Sequence, residues 1–105
     1  MRVRNEQLAG PELLPVEVFS VLRQQRLRER VSNEQAAQAV QTMMDLPVRL
    51  YPARPLLERM WQLRDTITAY DAAYVALAEA LGGALLTADV KLSQAPGPRC
   101  PIEVI

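Results

Sequence analysis

The stretch from residue 68 to residue 89 constrains this chain more than any other. Residues 72–81 carry a single charge, Glu79. A helix of that composition is buried on most sides. Thr68-Ala69-Tyr70-Asp71 ahead of it matches a capping box. Gly82-Gly83 behind it supplies the expected C-terminal stop. Ala84-Leu85-Leu86-Thr87-Ala88 then reads as a short buried strand that ends at Asp89. An apolar helix joined to an apolar strand needs further layers to cover both.

The remaining segments supply candidates. Leu13-Leu14-Pro15 opens a helix, with Pro15 suited to a first helical position. Val18, Phe19 and Leu22 form its apolar stripe. It ends in a polar, arginine-rich run over residues 23–30, where cations favour the helix dipole. Ser32-Asn33-Glu34-Gln35 is a second capping box. Ala36, Ala39, Val40, Met43 and Met44 follow at amphipathic spacing, the methionines as core filler. Leu46, Val48 and Leu50 alternate with Pro47, Arg49 and Tyr51, which argues a short strand closed by Pro52. Pro55 opens the next helix, with Leu57, Met60, Trp61 and Arg64 along one face. Pro96-Gly97-Pro98 is a turn, and Ile102, Val104 and Ile105 suggest a last strand. Helix, helix, strand, helix pair, strand, strand predicts the α/β class. A strand–helix–strand unit of this length gives a parallel sheet with a right-handed crossover. At 105 residues the chain is one small domain. It shows no repeat, low-complexity segment or linker.

Composition narrows the chemistry. There is no histidine, which removes His-based acid–base catalysis, Ser-His-Asp triads and His-ligated zinc. Cys100 is the only cysteine, so there is no internal disulfide and no CxxC site, and it reads as a bystander. Twelve basic residues balance twelve acidic ones, so total charge announces no nucleic-acid partner. All the cations but Lys91 are arginine, a bias that a GC-rich genome explains. No apolar run reaches ~18 residues, so no membrane span is expected. Residues 1–6 hold no apolar stretch and read as no signal peptide. A reducing cytoplasm fits. Any chemistry must rest on carboxylates, with a hard metal.

Three acids stand in apolar surroundings. Glu17 lies in the first turn of an apolar helix, Asp71 begins another, and Asp89 closes a buried strand. Ligands of open α/β sheets bind at the carboxyl ends of the strands. Three carboxylates meeting there repel unless a cation lies between them. All-oxygen ligation suits magnesium or manganese. The implied reaction is metal-assisted phosphodiester hydrolysis. Each acid also has an ordinary role, favoured when it is taken alone. Glu17 can serve the helix dipole, Asp71 can be the N3 member of a capping box, and Asp89 can be a turn residue. Thr68 and Thr87 can likewise be a cap and a strand residue. The arginines of residues 23–30 could touch RNA phosphates, but a solvated helix end is the expected reading. Tyr51, Trp61, Tyr70 and Tyr74 form no base-stacking series, and Trp61 is expected in the core.

Two segments together go further. Thr68-Ala-Tyr-Asp71-Ala-Ala-Tyr-Val-Ala-Leu-Ala78-Glu and Leu85-Leu-Thr-Ala-Asp89-Val-Lys-Leu92 strongly resemble the C-terminal half of PIN-domain ribonucleases. The nearest group is the VapC-type toxins of bacterial toxin–antitoxin pairs. Pro11-Glu-Leu-Leu-Pro-Val-Glu17-Val-Phe-Ser-Val-Leu22 resembles the family's middle segment, where an acid opens the second helix. The resemblance runs from about Leu8 to Ile105. It implies a PIN-like three-layer α/β/α fold with a central parallel sheet. It implies an endoribonuclease dependent on Mg2+ or Mn2+, in which a metal-activated water attacks an RNA phosphodiester. By position, Glu17, Asp71 and Asp89 match three of the family's metal-binding acids. Thr87 and Thr68 match polar residues that support the last acid and the one before it. The resemblance also implies a VapB-type antitoxin as partner, and frequent dimers.

The chain departs from the family at its start. Family members open with a strand carrying an aspartate, then a helix. By resemblance this chain begins after both and is N-terminally truncated by ~25 residues. Residues 1–105 are then a single, incomplete PIN domain. Glu6 is too early to replace the first aspartate. Weak or absent activity is the expectation. The alternative is a non-catalytic PIN remnant that binds an antitoxin or self-associates. A phosphatase or DNA nuclease on the same fold is a weaker third, because fold alone does not choose a substrate.

Overall fold

A computed structural model describes residues 7–105. Residues 1–6, and with them Glu6, lie outside the described residues. The elements are β1 (Leu8–Pro11), α1 (Leu14–Leu27), α2 (Asn33–Asp45), β2 (Val48–Tyr51), a 3-10 turn (Arg54–Leu56), α3 (Leu57–Gln62), α4 (Ala69–Leu81), β3 (Leu85–Thr87), α5 (Val90–Gln94) and β4 (Ile102–Val104). They divide into two compact units, one reaching to Leu50 and the other spanning Tyr51–Ile105.

In the first unit, α1 and α2 pack on each other, and β1 pairs with β2. Pro15 sits in the first turn of α1, as its fixed φ allows. The helix ends in a Schellman motif. Arg30 N–H donates to Gln25 O at 2.9 Å and Glu29 N–H to Arg26 O at 3.0 Å. The left-handed position that closes this motif is usually glycine, but here it is Glu29, with φ 58°. The Ser32 capping box forms in full. Gln35 N–H donates to Ser32 Oγ, and Ser32 N–H to Gln35 Oε1. Ala36, Ala39, Val40 and Met43 are half-buried, as their stripe requires, but Met44 is 67% exposed. It lies about 80° round the helix from Ala36, past the edge of the stripe. Phe19 leaves the α1 stripe in the same way and is exposed, while Val18 and Leu22 are half-buried.

The second unit is built around α4. Ala72, Ala73, Val75, Ala76, Leu77 and Ala78 are all buried. Leu63, Leu85 and Leu92 cluster with Ala72, Val75 and Ala78. Leu56 packs with Ala76 and Leu77, and Met60 touches both clusters. Small side chains on α4 let its neighbours approach closely, so the helix is covered on most sides as its composition demands. Gly82, with φ 66°, caps it in the left-handed region where only glycine is unstrained. Leu63 is 2% exposed, so Leu63→Ala is expected to cost about 2–5 kcal/mol, read by urea unfolding.

The class is α/β with parallel pairing. β3 runs parallel to β4 in the register Leu85↔Ile102, Leu86↔Glu103, Thr87↔Val104. The crossover between them carries α5, as a parallel connection requires. Pairing joins β3 to the last strand. Trp61 is corrected: it is 67% exposed. The buried face of this region carries Leu56, Met60 and Leu63. Leu57, Trp61 and Arg64 share a face as expected, but it is the outer one. Among the described residues no helix is long and apolar enough to cross a membrane.

Candidate active site

Asp71 occupies the third position of α4 and is half-buried. Its N–H donates to Thr68 Oγ1 at 3.2 Å, so Thr68 is the N-cap that the capping-box motif anticipates. Among the described residues nothing donates to the Asp71 carboxylate. The helix dipole favours a negative charge at that place. Thr68 thus acts on the backbone and fixes where the acid stands.

Asp89 follows β3 and is exposed. Its N–H donates to Thr87 Oγ1 at 3.0 Å, and its Oδ1 accepts from Lys91 N–H at 2.9 Å. Asp89 is therefore the N-cap of α5, a helix not anticipated from the sequence. The cap engages one carboxylate oxygen and leaves the other. Thr87 holds the acid through its backbone, much as Thr68 holds Asp71.

Chain reversal at Gly82 gives Asp89 the reach to return toward the end of α4 that carries Asp71. α4 is about 20 Å long. Gly82 turns the chain, and β3 packs back along α4. An extended chain from Gly83 to Asp89 spans about 20 Å, enough to return Asp89 to the level where α4 begins. Glu17 belongs to the first unit, half-buried in the first turn of α1. Within neither unit do three Asp, Glu or Cys side chains among the described residues gather into a cation cage.

Asp71 and Asp89, with the Thr68 and Thr87 hydroxyls, offer only hard oxygen donors. Magnesium is usually held by one or two carboxylates, with waters filling the other positions. Asp71 and Asp89 fit that requirement, and Thr87 and Thr68 set the backbone that carries them. Cys100 offers nothing to this site. It packs against the Leu63 cluster, and burial pushes its thiol above the ordinary range.

No family model matches the chain. Individual relatives do. The ribonuclease VapC9 of Mycobacterium tuberculosis is 45% identical over 100 residues, which are 95% of this chain and 79% of that protein. The chain belongs to the VapC ribonuclease family. VapC12 of the same organism is 40% identical over 104 residues, covering 99% of this chain and 81% of its own length. VapC1 is 46% identical over 97 residues, covering 91% and 73%. Membership in the VapC family accounts for the PIN-like α/β fold. It also makes the likeness of the Thr68 and Leu85 segments to VapC toxins one of kinship.

Proposed function

We propose that the chain is the ribonuclease toxin of a VapBC-type pair, cutting RNA phosphodiesters with water in the presence of Mg2+ or Mn2+. The observation that carries this is the seating of each acid by a threonine, Asp71 N–H on Thr68 Oγ1 and Asp89 N–H on Thr87 Oγ1. The VapC family supplies the reaction class. Asp71 and Asp89 would hold the ion. A bound magnesium lowers the pKa of a water and offsets charge on the phosphate. The protein's own part is to keep its carboxylates in place. Thr68 does this at the start of α4, and Thr87 at the end of β3. The toxin works in the cytoplasm, restrained by a VapB-type antitoxin, and self-associates as a dimer.

This 105-residue chain is proposed to be a slow nuclease, because its second unit brings two carboxylates rather than three. The test is single-turnover cleavage of end-labelled single-stranded RNA by excess purified chain. Slow cleavage with Mg2+ that stops on adding EDTA is the expected result. Rapid multiple-turnover cleavage would overturn slowness. Complete inertness, together with retained binding to the antitoxin, would favour the second reading. That second reading is a VapC-family protein that binds its antitoxin without cutting, and what favours it is that no three acids group within either unit among the described residues.

A further inference from the structure

Among the described residues, ten buried apolar side chains make up the core, and all of them lie between Leu56 and Leu92, in the second unit. In the first unit only Gly10 and Pro11 are buried. No side chain of α1 or α2 is. Val16, Phe19, Val21 and Leu27 of α1 and Met44 of α2 are more than half exposed. Half-buried stripes, Val18 and Leu22 on α1 and Ala36, Ala39, Val40 and Met43 on α2, supply what burial the pair has.

Length does not separate these helices from α4. α1 has 14 residues, and α2 and α4 have 13 each. Isolated helices of that length are marginal in water, and packing of an apolar face supplies most of their stability in a protein. α4 buries six side chains, whereas α1 and α2 bury none. Local devices hold the pair instead. They are the Ser32 capping box, the Schellman turn at Glu29 and the hydrogen bond from Arg26 Nε to Asn33 Oδ1. Each is small against the entropy of ordering the segment. β1 and β2 add a two-stranded sheet, which is marginal by itself. Free energies of local opening run from near zero up to that of the whole fold, and few buried apolar contacts mark the low end.

We propose that α1 and α2 form a separately opening unit, which unfolds and refolds while the second unit, with Asp71 and Asp89, stays folded. The consequence for activity rests on the ribonuclease function proposed above: an ion held by Asp71 and Asp89 stays bound while the helix pair is open. Amide hydrogen exchange of the full chain, read by mass spectrometry of its peptides, tests this. Corrected for sequence, amides of α1 and α2 are expected to exchange on the order of 100-fold faster than those of α4. Ser32→Ala removes the capping box and is expected to speed exchange in the helix pair about fivefold, leaving α4 unchanged. Equal protection of the three helices overturns the proposal. So does an equal rise in α4 on Ser32→Ala, the mark of one cooperative fold. Saturating Mn2+ is expected to slow exchange in the second unit alone. Equal slowing in α1 and α2 overturns separate opening and keeps the metal site. No slowing anywhere, with α1 and α2 still the faster helices, does the reverse: separate opening stands and the metal-dependent reading falls.

Discussion

Asp71→Asn is expected to abolish magnesium-dependent RNA cleavage and leave the fold in place. The substitution keeps the shape of the side chain and removes its charge. The Thr68 cap is unaffected, because it receives the backbone N–H of residue 71. Only the favourable charge at the helix start is lost, about 0.3–1 kcal/mol. Metal binding pays far more. Changing groups that merely support a ligand already lowers metal affinity 10–100-fold, so loss of a carboxylate ligand should cost at least about 100-fold. Mn2+ titration followed by electron paramagnetic resonance reads this without relying on turnover. Asp89→Asn should behave similarly, with α5 intact, since an asparagine oxygen can still accept from Lys91 N–H. If Asp71→Asn binds Mn2+ and cuts RNA as the wild type does, the acid is only a helix-start residue.

What could be read from the sequence follows from how each element declares itself. α4 is legible because nearly every side chain is apolar, whatever surrounds it. The Ser32 and Thr68 caps are legible because they are local. α5 is not, since five residues are too few to show a period, and only Asp89 marks its start. Periodicity placed Leu57, Trp61 and Arg64 on one face without saying which way that face turns. Leu56, Met60 and Leu63 form an equally good stripe, and that one meets the core. The left-handed Glu29 was hidden because such positions are sought as glycine. Thr68 and Thr87 were legible as partners of their acids, but their bonds go to backbone N–H groups rather than to carboxylates. Any approach of Asp89 to Asp71 depends on the reversal after Gly82, which no spacing rule encodes.

The least legible contact carries the last prediction. Glu79 is the one charge of residues 72–81, and in sequence nothing assigns it a partner. In the fold it accepts from Arg59 Nε at 2.7 Å, Arg59 Nη2 at 3.1 Å and Arg99 N–H at 2.7 Å. Arg59 Nη2 also donates to Gly97 O at 2.8 Å. The pair is well covered, with side chains 19% and 15% exposed. Glu79 and Arg59 therefore pin the turn at residues 97–99 onto α3 and α4. That turn leads into Pro101, whose carbonyl accepts from Leu85 N–H at 2.9 Å and starts the β3–β4 ladder. Gly97 is held close, for a Cβ there would meet Leu63 Cδ2 at 3.0 Å. Glu79→Ala leaves Arg59 and the Arg99 N–H without this acceptor, and should cost about 2–3 kcal/mol. Amide exchange in β4 should rise more than in α4, because the turn is what holds the strand in register. The effect should depend on pH. The hydrogen bond from Arg59 outweighs burial and, with Arg99 N–H, holds the Glu79 carboxyl below its ordinary value. The unfolded chain then binds more protons than the folded one, so stability rises with pH in this window. The contribution is complete above the unfolded value of 4.5 and is lost as pH falls through the lower folded one. Urea unfolding of wild type and Glu79→Gln should thus differ near neutrality and converge in acid. A constant difference across that range would mean that packing, not the Arg59–Glu79 charge pair, holds the turn.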